Sequence, residues 1–219
     1  MDDSSNGSAY DLGGSLSASS GASGVRANAT GDVPLVKSGT FETIHRYVQA
    51  EFGEDAFQEL LTHLSPELAE RLVQADLNGW YPEAELHEVI HAIHEHLAGG
   101  DDERFLTIAR GLALAGISRF FRVVIGFASA RFVLRKVPVL WTRLRRGPAS
   151  LVSEVAEDGR VLVHYSDYEY CYDPVYRLLS IANCQALVVA ATKEIPAAMV
   201  MRYDDTSMTL AFGPFTTAP

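Results

Sequence analysis

Cysteine is scarce in this chain: Cys171 and Cys184 are its two, among 219 residues. That is too few for a secreted disulfide scaffold, and the spacing is not that of a zinc site. Two isolated cysteines fit a reducing compartment, where a buried thiol behaves as a small hydrophobe. Long uncharged runs are lacking too. The most hydrophobic stretch, 111–134, contains Arg119, Arg122 and Arg131. It falls short of the roughly 18 uncharged residues of a membrane span and reads as a buried helix pair. The start, Met1-Asp2-Asp3, is acidic and leads into no apolar run, unlike a secretory signal. A cytoplasmic protein with no transmembrane segment is expected, and the sequon Asn28-Ala29-Thr30 is then a chance match.

Complete catalytic motifs are also missing. There is no glycine loop ending in Lys-Ser/Thr and no strand-linked dinucleotide fingerprint. The serine–glycine run at 20–24, which approaches a nucleophile elbow, falls in a low-complexity tail. Neither cysteine has a histidine close in sequence. An enzyme is not expected.

Hydrophobic residues make up 47% of the chain, enough for a globular core at this length. The net charge of −10 disfavours nucleic acid as a partner, but the average hides a segregation. Positions 40–103 hold fifteen acidic residues against two basic ones, Arg46 and Arg71, whereas positions 104–153 hold ten basic residues and no acidic one. Either the two segments pair within the domain, the reading favoured here, or Arg143, Arg145 and Arg146 form a basic surface for an acidic partner.

Residues 1–34 are rich in Ser, Gly, Ala and Asn without apolar period, and such a tail is expected to be disordered. Residues 35–219 read as a single domain. Phe41, Ile44 and Val48 fall at helical spacing, as do Phe57, Leu60, Leu61 and Leu64. Ser65-Pro66 opens a third helix. Pro82 starts a fourth with the stripe Leu86, Val89, Ile90, Ile93 and Leu97. Asp101 or Asp102 caps a fifth over about 103–127. A sixth, about 130–145, should kink or divide at Pro138. Strands follow at 150–156 and 160–166, turning at Asp158-Gly159. A helix at 174–192 comes next, then strands at 197–203 and 207–212. About six helices packed on a small antiparallel sheet of β-β-α-β-β order make an α+β fold.

Two clusters could bear chemistry. His87, His91 and His94 form one strip along the edge of the fourth helix's apolar face, with His96 pointing elsewhere. Histidines four apart can share a metal ion, but the zincin order of His and Glu is absent. The strip reads as boundary residues packing on the core and reaching water, with zinc or haem ligation and a pH-sensitive strip as alternatives. The second cluster is Tyr165, Tyr168, Tyr170, Tyr172 and Tyr176, which suits either a ligand pocket or a half-buried strand surface.

Gly39-Thr40-Phe41 with Phe52-Gly53, then Trp80-Tyr81-Pro82, Arg110-Gly111, and Val137-Pro138-Val139-Leu140-Trp141 with Gly147, taken with the β-β-α-β-β ending, give a familiar order. The region resembles the ligand-binding superfamily of 4-vinyl reductase domains, haem nitric-oxide-binding domains and vesicle-tethering subunits, closest to an uncharacterised, mostly myxobacterial regulatory branch. The resemblance implies a helical half on a small sheet, a pocket between them and often a dimer. The paired cysteines usual around the final hairpin of 4-vinyl reductase domains are absent here, as is the Tyr-x-Ser-x-Arg signature of the haem domains. The expectation is therefore a non-catalytic small-molecule-sensing or regulatory domain with no cofactor favoured. Trp80, Tyr81, Phe121, Trp141 and Tyr172 would line an apolar pocket for a small ligand. The alternatives are a protein-interaction or scaffold subunit using the basic helices 104–146, with a homodimer or a regulatory protein as partner, and a haem or metal protein using the histidine strip.

Overall fold

The structure, a computed structural model, describes residues 25–26, 33–76, 78–117 and 128–215. Within it the apolar periods become helices where the caps expect them. α1 (Gly39–Phe52) buries Phe41, Ile44 and Val48, and α2 (Glu54–Thr62) buries Phe57 and Leu60. Gly53 separates them at φ 88°, a conformation that a side chain would strain. α3 (Pro66–Val73) carries its proline in the first turn, where a missing N–H leaves no bond unmade. α4 (Glu83–Ala92) runs on as a π-helical turn, Ile93–Leu97. α5 (Asp102–Gly116) is capped by the Asp101 carboxylate, which accepts from the Arg104 N–H. The helix ends at Gly116, where Ile117 turns extended at ψ 113°, short of the predicted 127; residues 118–127, and with them Phe121, lie outside the described residues.

The sixth predicted helix divides at Lys136, as its proline required. α6 (Ala130–Arg135) precedes the break, and α7 (Val137–Leu144) has Pro138 in its first turn. α8 (Pro174–Thr192) buries eleven residues. Among the described helices α8 is the one long and apolar enough to cross a membrane. Here it is a core helix, packed on α5, α6, α4 and β7.

Two antiparallel sheets complete an α+β fold. The larger has the order β1-β5-β6-β8-β7, from β1 (Val25–Arg26), β5 (Ser150–Val155), β6 (Val161–Ser166), β8 (Met208–Phe212) and β7 (Ala198–Tyr203). β6 alternates, burying Val161, Val163 and Tyr165, the period of a strand with one covered face. The β5–β6 turn falls at Asp158-Gly159, with Gly159 at φ 83°. β1, from the stretch read as a tail, pairs Val25 with Leu151 and Arg26 with Ser150. The rest of that tail, 1–24 and 27–32, lies outside the described residues.

The smaller sheet was not expected. β2 (Leu35–Lys37) sits between β3 (Trp80–Pro82) and β4 (Arg145–Arg146). Its register sets Val36 opposite both Tyr81 and Arg145. β3 leads directly into α4 and β4 directly out of α7, so three short strands lock the starts and ends of distant helices together. α1 and α5 approach closely at Gly111, where a Cβ would lie 2.0 Å from the Tyr47 hydroxyl oxygen.

Candidate functional site

One face of α4 carries Glu83, His87 and His91, each a helical turn after the last, so their side chains stack in a row. Glu83 is 1% exposed. Its Oε1 accepts the Arg145 Nε–H at 2.7 Å and the Tyr168 hydroxyl at 2.9 Å. Both partners are buried. Burial pushes the Glu83 carboxyl up, with the Arg145 guanidinium and the Tyr168 hydroxyl pulling against it. Burial would lower the Arg145 pKa, but the facing Glu83 carboxylate outweighs it and holds the guanidinium firmly charged. This is the ion pair that joins the acidic and basic segments among the described residues.

Aromatic rings enclose the pair. The Trp141 ring lies edge-on to Tyr165 and Tyr168, at 5.5 and 5.1 Å, with the Arg145 guanidinium 5.2 Å from its centre. Tyr168 leads on to Tyr170 at 5.4 Å, and Tyr170 to Tyr176 at 4.8 Å. Burial pushes the hydroxyls of Tyr165, Tyr168 and Tyr176 well above their usual value. Two polar atoms of this seam, Trp141 Nε1 and the Tyr176 hydroxyl, are buried without a hydrogen-bond partner.

Further along α4, His87 Nε2 and His91 Nε2 lie 2.5 and 2.6 Å from the same oxygen, Asp173 Oδ2. Asp173 is the N-cap of α8. Its other oxygen, Oδ1, accepts the backbone N–H groups of Val175 and Tyr176 at 2.8 and 3.3 Å. Burial would raise the Asp173 carboxyl, but the hydrogen bonds from His91 and His87 bring it below its usual value. The His87 ring rests 5.2 Å from both Tyr170 and Tyr176, so the histidine pair and the aromatic seam are contiguous.

The sequence-predicted residues are thus redistributed. His94 leaves the strip to meet Asp102 at 3.0 Å, and His96 stacks on His63 with ring centres 3.4 Å apart. The carboxylate that sequence reasoning did not find beside the histidines is Asp173. Trp141 belongs to the seam, whereas Trp80 lies under Arg146 at 4.0 Å, and Tyr81 packs on Phe41 and Arg71. Tyr172 is 57% exposed while Tyr165, Tyr168, Tyr170 and Tyr176 are buried. Arg145, which the alternative reading set on a basic surface with Arg143 and Arg146, is turned inward against Glu83, as pairing of the two segments within the domain requires; the other two are exposed. Glu83 itself gave no sequence signal beyond an acid in a helix's first turn. Two depressions of about 310 and 210 Å³ border Gly213 and Pro214, at the hairpin end of the sheet and away from this seam.

No family model and no curated protein matches the chain, so the 4-vinyl reductase and myxobacterial parts of the resemblance rest on sequence pattern alone. Solved structures do match in fold. The Fe(II) unliganded H-NOX protein from K. algicida superposes with a TM-score of 0.57 at 11% identity, over 83% of this chain and 97% of that one. An H-NOX family structure studied for haem distortion gives 0.58 at 13%, over 84% and 98%. The H-NOX protein from S. oneidensis in the Fe(II)NO state gives 0.55 at 17%, over 80% and 97%. At these identities the likeness establishes the fold: this chain shares the architecture of the H-NOX domains across nearly their whole length.

Proposed function

We propose that this protein is a non-catalytic sensing domain that holds a small, largely apolar ligand in the aromatic seam between α4, α7 and the start of α8. The observation that carries this reading is the pair of unpartnered buried polar atoms, Trp141 Nε1 and the Tyr176 hydroxyl. Burying such a group without a partner costs about 1–3 kcal/mol, a cost that a bound molecule can relieve. Indole N–H only donates, so the ligand carries an acceptor oxygen or nitrogen. The Glu83–Arg145–Tyr168 node beside it is already satisfied and acts as a rigid floor. The H-NOX architecture supports a sensor role, because its solved members are described in gas-liganded and unliganded states.

Those structures are also described by their haem, and the residues here do not fit that group. Haem iron is held by histidine, thiolate, methionine or tyrosinate at an axial position. His87 meets the seam at Tyr170 and Tyr176, but its Nε2 is turned to Asp173 at 2.5 Å. Burial pushes the seam tyrosines well above their usual value, and the Tyr168 hydroxyl is already committed to Glu83 at 2.9 Å. The seam instead presents Glu83, Arg145, tyrosines and Trp141.

The test is native mass spectrometry and an absorption spectrum of the full chain purified from its own host, followed by a thermal-shift screen of small aromatic carbonyl and phenolic compounds. A ligand present at about 100 times its Kd adds about 2.7 kcal/mol of stability. That gain should appear in the wild type and be largely lost in Trp141→Phe and Tyr176→Phe. A Soret band in the purified protein, or a ligand whose shift survives both substitutions, would replace this reading.

A further inference from the structure

We propose that His87, His91 and Asp173 form a binding site for one divalent transition-metal ion of the Zn²⁺ class. The site's three donor residues are not among those proposed to hold the ligand, although Tyr176 borders both. Its three donor atoms lie within 4.8 Å of one another, with both histidine Nε2 atoms converging on Asp173 Oδ2 at 2.5 and 2.6 Å. Protein ligands bind zinc at about 2.0–2.2 Å in near-tetrahedral geometry, which sets neighbouring donors somewhat more than 3 Å apart. Opening the cluster to that spacing asks for a small rotation of two imidazoles. Their side chains are 28% and 34% exposed, so they have room to turn.

The rest of the surroundings is what such a site needs. Asp173 is 4% exposed and is fixed by two backbone N–H groups on Oδ1, so that Oδ2, which faces the two imidazoles, is the oxygen it would offer to an ion. Ligands held by an outer ring of hydrogen bonds bind more tightly. Tyr170 and Tyr176 pack on His87 and orient its ring. Arg177, the cation nearest along α8, donates instead to the carbonyls of Cys171 and Tyr172 and so turns away from the cluster. Two imidazoles and one carboxylate satisfy part of a coordination sphere and leave open positions for water. The partial exposure of the histidines gives water and the ion a path in. A bound ion would tie the middle of α4 to the first turn of α8.

The experiment uses the full chain, stripped with chelator and titrated with Zn²⁺ by calorimetry and with Co²⁺ by visible absorption. One ion per chain and a Co²⁺ ligand-field band are expected. His91→Ala and Asp173→Asn should each weaken binding at least tenfold. Asparagine serves as an N-cap about as well as aspartate, so Asp173→Asn keeps α8 capped and remains informative if the alanine variant fails to fold. His94→Ala and His63→Ala should bind as the wild type does. Binding absent up to millimolar ion, binding unchanged in Asp173→Asn, or binding lost in His94→Ala would each overturn the assignment. None of these outcomes alters the response of Trp141→Phe, so this site and the ligand seam stand or fall separately.

Discussion

The Nε–H of Arg145 reaches the Glu83 carboxylate at 2.7 Å across 62 residues of chain, and both side chains are buried. A pair in this position is asymmetric in its energetics. Removing one partner strands a charge in the interior, whereas removing both removes the need for either.

Glu83→Ala or Arg145→Ala alone should therefore cost about 3–5 kcal/mol. A double replacement by apolar residues of similar volume, Glu83→Leu with Arg145→Met, should recover most of that loss. Urea denaturation of the wild type, the two single variants and the double variant measures it. Additive losses would mean that the two groups do not depend on each other.

Arg143 and Arg146 provide the contrast, since both are exposed. Arg143→Ala should change stability by less than about 0.5 kcal/mol. Arg146→Ala should lose up to about 1 kcal/mol, through its stacking on Trp80. Equal losses at 143, 145 and 146 would contradict the inward turn of Arg145.

Gly111 tests the contact of α1 with α5. Alanine is ordinarily favoured over glycine inside a helix by about 1 kcal/mol. Here the new Cβ would sit 2.0 Å from the Tyr47 hydroxyl oxygen and 2.6 Å from the ring carbon that bears it. Gly111→Ala should instead destabilise by about 1–3 kcal/mol through overpacking. Adding Tyr47→Leu should relieve the clash, so that the double variant is more stable than the sum of the single changes. Thermal unfolding of both single variants and the double checks this.

Cys184 and Tyr165 give a pH dependence of defined sign. Burial pushes the Cys184 thiol from 9.0 up to about 12, and Tyr165 moves in the same direction. The folded state favours the protonated form of both. Their contribution is complete below about pH 9, where the unfolded thiol is still protonated, and is lost as pH climbs towards 12. In a Cys171→Ala background, Cys184 should not react with a thiol reagent at pH 8 until denaturant is added. Circular dichroism should show unfolding set in on the alkaline side of pH 9. Rapid native labelling at pH 8 would refute the burial of Cys184.

Much of the fold was legible because it is local. The apolar period of Phe41, Ile44 and Val48, the break near Pro138, the turn at Asp158-Gly159 and the apolar helix after Asp173 each depend on residues within a few positions of one another. The small sheet was not legible, since strands of two or three residues are too short to show an alternation. The histidine strip was half legible. Helical spacing placed His87 and His91 on one face, but the same spacing included His94, which Asp102 draws away.

The sequence by itself determined where most helices and the β5–β6 hairpin lie, the alternation of β6 and the segregation of charge, because backbone preference and hydrophobic period act over a turn or two of chain. Only the tertiary structure decided that Glu83 meets Arg145 and Tyr168, and that Asp173 closes on His87 and His91. Those partners are separated by 62 to 86 positions. An acid in a helix's first turn has the same local signature whether it faces water or a buried guanidinium. What separates the two cases is the packing of β2 between β3 and β4, which brings the start of α4 against the end of α7 and excludes water from the carboxylate between them.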